Sequence, residues 1–147
     1  MQVAEQVHSF DVKLKWDHET SIGLARSGDR MPLLFGPPPE FGGNETSWSP
    51  EHLLAASVAS CYATTFLHFA RLLKITVTDF RVSGRADFEK RTNGLEATRI
   101  VLRPVVALHH KPIQSVLDNL FAKAKKYCFV SNSLKCEVVV EPNVLQG

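Results

Sequence analysis

Three cysteines carry the most reactive chemistry available to this chain. Cys61 lies in Ala59-Ser60-Cys61-Tyr62-Ala63, in the middle of a long apolar stretch. Cys128 follows a second apolar stretch, and Cys136 lies on the apolar side of a closing alternation. Free cysteine is among the most buried residue types, so packing is the plainest role for each. Position 128 is four residues past Ala124 and continues an apolar helical stripe, so it faces inward. Two cysteines pointing inward from two helices change the reading. If both helices pack on one sheet, the two thiols can approach each other, and a disulfide needs Cα atoms within about 7 Å. In a reducing compartment such a pair is more often redox-active than structural. Cys136 keeps the packing role.

Glu51 precedes Cys61 by ten residues. On a helix, ten residues rise about 15 Å and leave the two side chains on different faces. Glu51 therefore cannot touch Cys61 of its own chain. If it serves that cysteine, it comes from a second copy whose helix crosses antiparallel, which points to a two-fold homodimer. Otherwise Glu51 is a helix-start charge favoured by the macrodipole. The six histidines (His8, His18, His52, His68, His109 and His110) form neither HExxH nor a zinc spacing with cysteine. His68, seven residues past Cys61, shares its helical face and reads either as a thiolate partner or as a satisfied core residue. There is no P-loop, no GxGxxG and no GxSxG.

The elements that must position these residues follow from periodicity. Val7 to Trp16 alternates, with His8, Phe10, Val12, Leu14 and Trp16 on one side, and reads as a half-buried strand. Thr20 to Arg26 returns, and Met31 to Phe35 is a short third strand. Gly36 to Trp48 holds three consecutive prolines and Gly42-Gly43, and reads as a loop within one domain. Ser49-Pro50-Glu51 starts a helix: a capping serine, proline at the first helical position, then an acid at the positive end. That helix runs to about Leu73 and is apolar or small nearly all round. Ser57, Ser60, Thr64, Thr65, His68 and Arg71 interrupt it, and no aromatic or basic belt flanks it, so a membrane span is rejected. The alternative is a central buried helix, which a partner chain would help to cover. Asp79 to Phe88 alternates, Asn93-Gly94 marks a turn, and Glu96 to Leu108 returns, with Pro104 indicating an edge or bulge. Pro112 opens a second helix, and Leu134 to Glu141 closes the chain as a strand. The order strands, helix, strands, helix, strand predicts an α+β fold with antiparallel hairpins around a long apolar helix.

Composition agrees with one domain over residues 1–147, with 44% hydrophobic and 22% charged residues. That balance excludes a disordered or coiled-coil chain. Lys and Arg number 17 against 15 for Asp and Glu, a net +2, too even for a dedicated nucleic-acid binder. Three cysteines are too few and odd for a disulfide-stapled secreted scaffold. MQVAEQVHSFDVKLKW has no apolar signal region, so the expected location is cytoplasmic, with reduced thiols.

Pro39-Glu40-Phe41-Gly42-Gly43, Trp48-Ser49-Pro50-Glu51-His52-Leu53-Leu54-Ala55-Ala56 and Ala59-Ser60-Cys61 together resemble the first signature of the OsmC/Ohr family, the osmotically inducible protein C and organic hydroperoxide resistance proteins. Cys128-Phe129-Val130-Ser131-Asn132-Ser133-Leu134 resembles its second signature. The resemblance implies an intertwined homodimer with two active sites at the subunit interface. It implies that Cys61 is the peroxidatic cysteine, Cys128 the resolving one, and that Glu51 arrives from the other subunit. The activity implied is thiol-dependent reduction of organic hydroperoxides to alcohols, through a Cys61 sulfenic acid and a Cys61–Cys128 disulfide. No bound cofactor or metal is implied; an external dithiol, of lipoyl type by resemblance, restores the pair. In the family an arginine pairs with the glutamate and favours the thiolate. Here Trp16-Asp17-His18-Glu19 lacks the Gly-Gly-Arg of the hydroperoxide resistance branch, and Glu40 stands where the other branch carries an arginine. Arg26 and Arg30 precede the loop, and spacing selects neither. This departure supports a second reading, a redox-sensing or ligand-binding dimer of the same fold with little turnover.

Overall fold

The computed structural model describes residues 6–146. They form two compact units, one ending at Pro50 and one beginning at Glu51.

The first unit is a three-stranded antiparallel sheet of β1 (Lys13–Asp17), β2 (Ile22–Arg26) and β3 (Leu33–Phe35), in that spatial order. The predicted strand from Val7 is shorter than its alternation. Val7 to Val12 stay outside the ladder, and the apolar side chains are exposed, Phe10 by 90% and Leu14 by 62%. Alternation reports a face suited to burial; within the described residues of the first unit nothing buries this one. The loop beyond β3 is pinned at both ends, since the Gly36 N–H donates to the Trp48 carbonyl and the Trp48 N–H to the Leu34 carbonyl, both at 2.9 Å. Its prolines fold one 3-10 turn, Pro39–Phe41, which Gly42 closes at φ +85°.

The second unit is a helix-on-sheet layer. Helix α1 (Pro50–Leu72) begins where the Ser-Pro-Glu signal places it. Long strands β4 (Val77–Arg91) and β5 (Gly94–Leu108) form a hairpin across Asn93-Gly94. Helix α2 (Gln114–Lys126) and the single turn α3 (Phe129–Asn132) lead to β6 (Glu137–Val140) and β7 (Asn143–Gln146). The α+β class holds. What periodicity did not reveal is that β6 and β7 both pair parallel to β5, along successive halves of one edge. A parallel return needs a crossover, and α2 supplies it.

Pro104 is therefore on a central strand, not an edge. Glu141 donates to the Leu102 carbonyl, so Leu102 and, two residues on, Pro104 turn their backbone polar groups toward β6 and β7. Pro104 meets that side between Leu102, paired with Val140, and Val105, paired with Asn143. The missing N–H falls in the gap between two strands, where no ladder bond is lost.

Helix α1 is long and apolar enough to cross a membrane by length and composition, yet it packs on a sheet. Its buried residues, Val58, Tyr62, Phe66 and Ala70, are one i, i+4 stripe rather than the whole circumference. The expectation of a helix buried all round is thus met on one side only, and Leu67 and Leu72 are exposed. The stripe joins Ile100, Leu102, Val106 and Leu108 of β5 and Leu117, Leu120 and Ala124 of α2 in one core. Close approach is set by Gly84 of β4: a Cβ there would sit 3.4 Å from Ala59 Cβ and 3.5 Å from the Ala55 carbonyl oxygen. Small residues facing each other bring α1 onto the sheet with Cys61 half a turn beyond.

Candidate active site

The second unit brings Cys61 and Cys128 together, each a free thiol. Cys61 is half-buried on α1; Cys128 caps the start of α3 and is 1% exposed. The fold achieves this because α2 ends at Lys126 and the chain turns under α1 at once. Cys128 Sγ lies 4.0 Å from the Val58 carbonyl oxygen, a long sulfur contact one turn before Tyr62. Cys61 packs against the buried cluster that holds Cys128, and the two thiols are neighbours that act on each other.

Burial pushes the Cys128 thiol above its ordinary pKa; the Ser131 hydroxyl and N–H pull it back, and Cys61 adds to the rise. The Ser131 hydroxyl also stands 3.1 Å from the Cys128 carbonyl oxygen, and with one proton it serves only one acceptor at a time. Tyr62 is also pushed above its ordinary range, by burial first and by charge on Cys128 second. Both groups are neutral when protonated, so with raised values the folded chain holds protons that the unfolded chain has released. Their stabilisation is present below the ordinary thiol range and is lost as pH climbs through the folded values. The urea midpoint is expected to fall as pH rises above the ordinary thiol range, and Cys128→Ser to remove part of that slope. An unchanged slope in the variant would assign the alkaline loss elsewhere.

The hydroxyls that interrupt the apolar helix bond to its backbone. Thr65 donates to the Cys61 carbonyl at 2.7 Å, Thr64 reaches the Ser60 and Cys61 carbonyls at 3.1 Å, and Ser60 reaches Ser57. Beyond them opens a groove of about 340 Å³, lined by Thr64, Thr65, His68, Phe69, Tyr127 and Phe129. It starts one turn past Cys61 and is walled by both chain neighbours of Cys128. His68 lines it, edge-on to Phe69 at 5.3 Å between ring centroids. Seven residues of helix put its Cα roughly 10 Å from that of Cys61, so it belongs to the groove rather than to the thiol.

Glu51 is in the first turn of α1, on the same unbroken helix as Cys61, and the ten-residue separation stands. Its Oε2 is buried and accepts no hydrogen bond from the described residues. A buried carboxylate oxygen left so is costly and calls for a donor. Arg26 and Arg30 both lie in the first unit, where the Arg30 guanidinium is 3.5 Å from the Ser27 carbonyl oxygen. Cys136 is half-buried against the core just before β6. Among the described residues no group of three or more His, Cys, Asp or Glu side chains could hold a metal ion. The sequence reading passed over Tyr62 and Ser131. Tyr62 was legible from its place in the i+4 stripe next to Cys61, Ser131 only from the folded turn.

A helix-on-sheet unit that sets two free thiols side by side, one half-buried and one buried, defines a dithiol protein. A profile of OsmC-like proteins matches residues 42–143, and the chain belongs to that family. Its fold is that of an OsmC-like protein of unknown function from Vibrio cholerae (TM-score 0.85, 22% identity, covering 92% of this chain and 99% of that one). It is similar to an organic hydroperoxide resistance protein OsmC from Legionella pneumophila (TM-score 0.72, 23% identity, covering 95% and 98%). It is similar also to an organic hydroperoxide resistance protein from Elizabethkingia anophelis (TM-score 0.75, 17% identity, covering 98% and 100%). No curated protein matches the chain by sequence.

Proposed function

We propose that this protein is a thiol-dependent peroxidase that reduces organic hydroperoxides to alcohols. The observation that carries the reading is the adjacency of two free thiols, Cys61 and Cys128, beside a groove walled by aromatic side chains. Family membership and relatives that bear the description of organic hydroperoxide resistance support it.

The Cys61 thiolate attacks the O–O bond, the alcohol leaves, and Cys61 becomes a sulfenic acid. The Cys128 sulfur then attacks the Cys61 sulfur, the S–O bond breaks, and water leaves with the thiol proton. An external dithiol, of lipoyl type, restores both thiols by exchange. Phe69, Tyr127 and Phe129 give the groove an apolar character that suits an alkyl or aryl hydroperoxide better than hydrogen peroxide. The working unit is a homodimer in the cytoplasm, with Glu51 of the partner subunit brought to Cys61. The unpaired Glu51 oxygen and the exposed apolar face of β1 favour that assembly.

The missing family arginine favours the second reading, a redox sensor or ligand-binding dimer with little turnover. One experiment separates them. Reduced protein given one equivalent of cumene hydroperoxide is expected to lose two hydrogens per chain, with Cys61 and Cys128 peptides linked. With excess dithiol it is expected to consume many equivalents. Linkage without turnover selects the sensor; the absence of both linkage and turnover excludes peroxidase and sensor and leaves the ligand-binding dimer.

A further inference from the structure

We propose that Tyr62 is a positioning residue for the resolving cysteine, its phenol serving as the reserved hydrogen-bond donor to the Cys128 sulfur. The inference rests on the peroxidase reading for its place in the reaction, but its physical basis is independent of it. Tyr62 is 1% exposed, and its hydroxyl is buried without a hydrogen-bond partner among the described residues. Its ring belongs to the core, stacked on Phe66 at 6.3 Å between centroids. Phenylalanine would fill the same space without burying a hydroxyl, so as packing alone the oxygen is a cost.

The acceptor proposed is the Cys128 sulfur, a member of the same buried core, which takes no bond from the phenol in the resting structure. Cys128 packs against the Val58 carbonyl, and Val58 and Tyr62 are successive members of the buried α1 stripe. Tyr62 also follows Cys61 directly in the chain. A negative charge on Cys128 acts on the Tyr62 phenol, and burial together with that charge keeps the phenol protonated at neutral pH. It therefore keeps a proton to donate throughout. Cys128's other donors come from Ser131, whose hydroxyl is shared with the Cys128 carbonyl. Cys61, also on α1, is the ionisable neighbour acting on Cys128, and Cys128 in turn acts on Tyr62.

The role falls in the second step. Cys61 sulfenic acid and the Cys128 thiol give the disulfide and one water; the S–S bond forms, the S–O bond breaks, and the thiol proton leaves with the hydroxide. Tyr62 keeps its own proton. It holds the sulfur while charge gathers there, in a site too buried for water to do so.

The test is Tyr62→Phe. In a Cys61→Ser background, the alkylation rate of Cys128 against pH is expected to move to higher pH. In the otherwise unaltered protein, the Cys61 sulfenic acid, trapped with dimedone, is expected to live about tenfold longer, as for the loss of one charge-assisted bond. The rate of its formation is expected to stay the same. An unchanged Cys128 profile and an unchanged sulfenic acid lifetime overturn the proposal; a purely structural role would move only stability. If the parent protein forms no disulfide, the peroxidase reading fails, while the alkylation profile still decides the role of Tyr62. Should the phenylalanine variant not fold, Tyr127→Phe leaves Tyr62 as the sole tyrosine of a chain that has two. Its Raman signature is then expected to turn to that of a donor as Cys128 ionises. The same change in a chain carrying Cys128→Ser as well would overturn the assignment.

Discussion

Cys61→Ser is expected to lower hydroperoxide turnover by about a thousandfold or more, to the level of the buffer reaction. A serine hydroxyl is far too basic to offer an anion at neutral pH, and it cannot carry the oxygen as a sulfenic acid can. Cys128→Ser is expected to behave differently. The first step needs only Cys61, so the variant should release one equivalent of alcohol per chain in a single burst and then stall as a dimedone-reactive sulfenic acid. The two effects are not additive, because both residues act in one sequence of steps, and the double variant should look like Cys61→Ser alone. Stopped-flow measurement of alcohol release checks all three. Equal burst amplitudes in the two single variants would show that the cysteines do not divide the roles as proposed. Both variants should fold: each exchanges a sulfur for an oxygen, and the core around Cys128 is carried by Leu117, Leu120 and Ala124.

Much of the scaffold around that chemistry was legible because local patterns and tertiary needs agree there. The Ser-Pro-Glu start of α1 is a local signal, and the helix begins on it. In β4 the apolar set Phe80, Val82, Ala86 and Phe88 is half-buried, while Asp79, Arg81, Ser83 and Arg85 are exposed, as alternation required. The errors fall where a pattern describes a face but not its partner. Val7 to Trp16 alternates as a buried strand would, yet the single chain leaves those side chains exposed. Pro104 signalled an edge or bulge and lies at neither, since periodicity does not show that β6 and β7 meet β5 with a gap between them. The site divides in the same way. The inward stripe ending at Cys128 and the separation of Glu51 from Cys61 are one-dimensional facts of helix geometry. The orphan hydroxyl of Tyr62 is not, because only a folded core shows what a side chain lacks.

Phe66→Ala is expected to destabilise the fold by about 3–5 kcal/mol, the cost of an aromatic truncated in a packed core. Phe66 is fully buried on the α1 stripe, with ring centroids 5.0 Å from Phe80 of β4 and 5.2 Å from Phe121 of α2. One ring thus joins three elements, and these neighbours are long side chains of a sheet and a second helix that cannot all collapse into the space. Leu67→Ala, one position along the same apolar helix but 38% exposed, is the control. If the single stripe holds α1 in place, Leu67→Ala costs about 1 kcal/mol or less. Urea unfolding of both variants at several protein concentrations decides the matter. A Leu67 cost that is larger in concentrated protein and shrinks on dilution would mean that a second chain covers the outer face of α1. The over-apolar helix would then be satisfied on both sides, the inner one by its own sheet and the outer one by its partner. A Phe66 cost no larger than that of Leu67 would mean that the core is not centred on the Val58–Ala70 stripe.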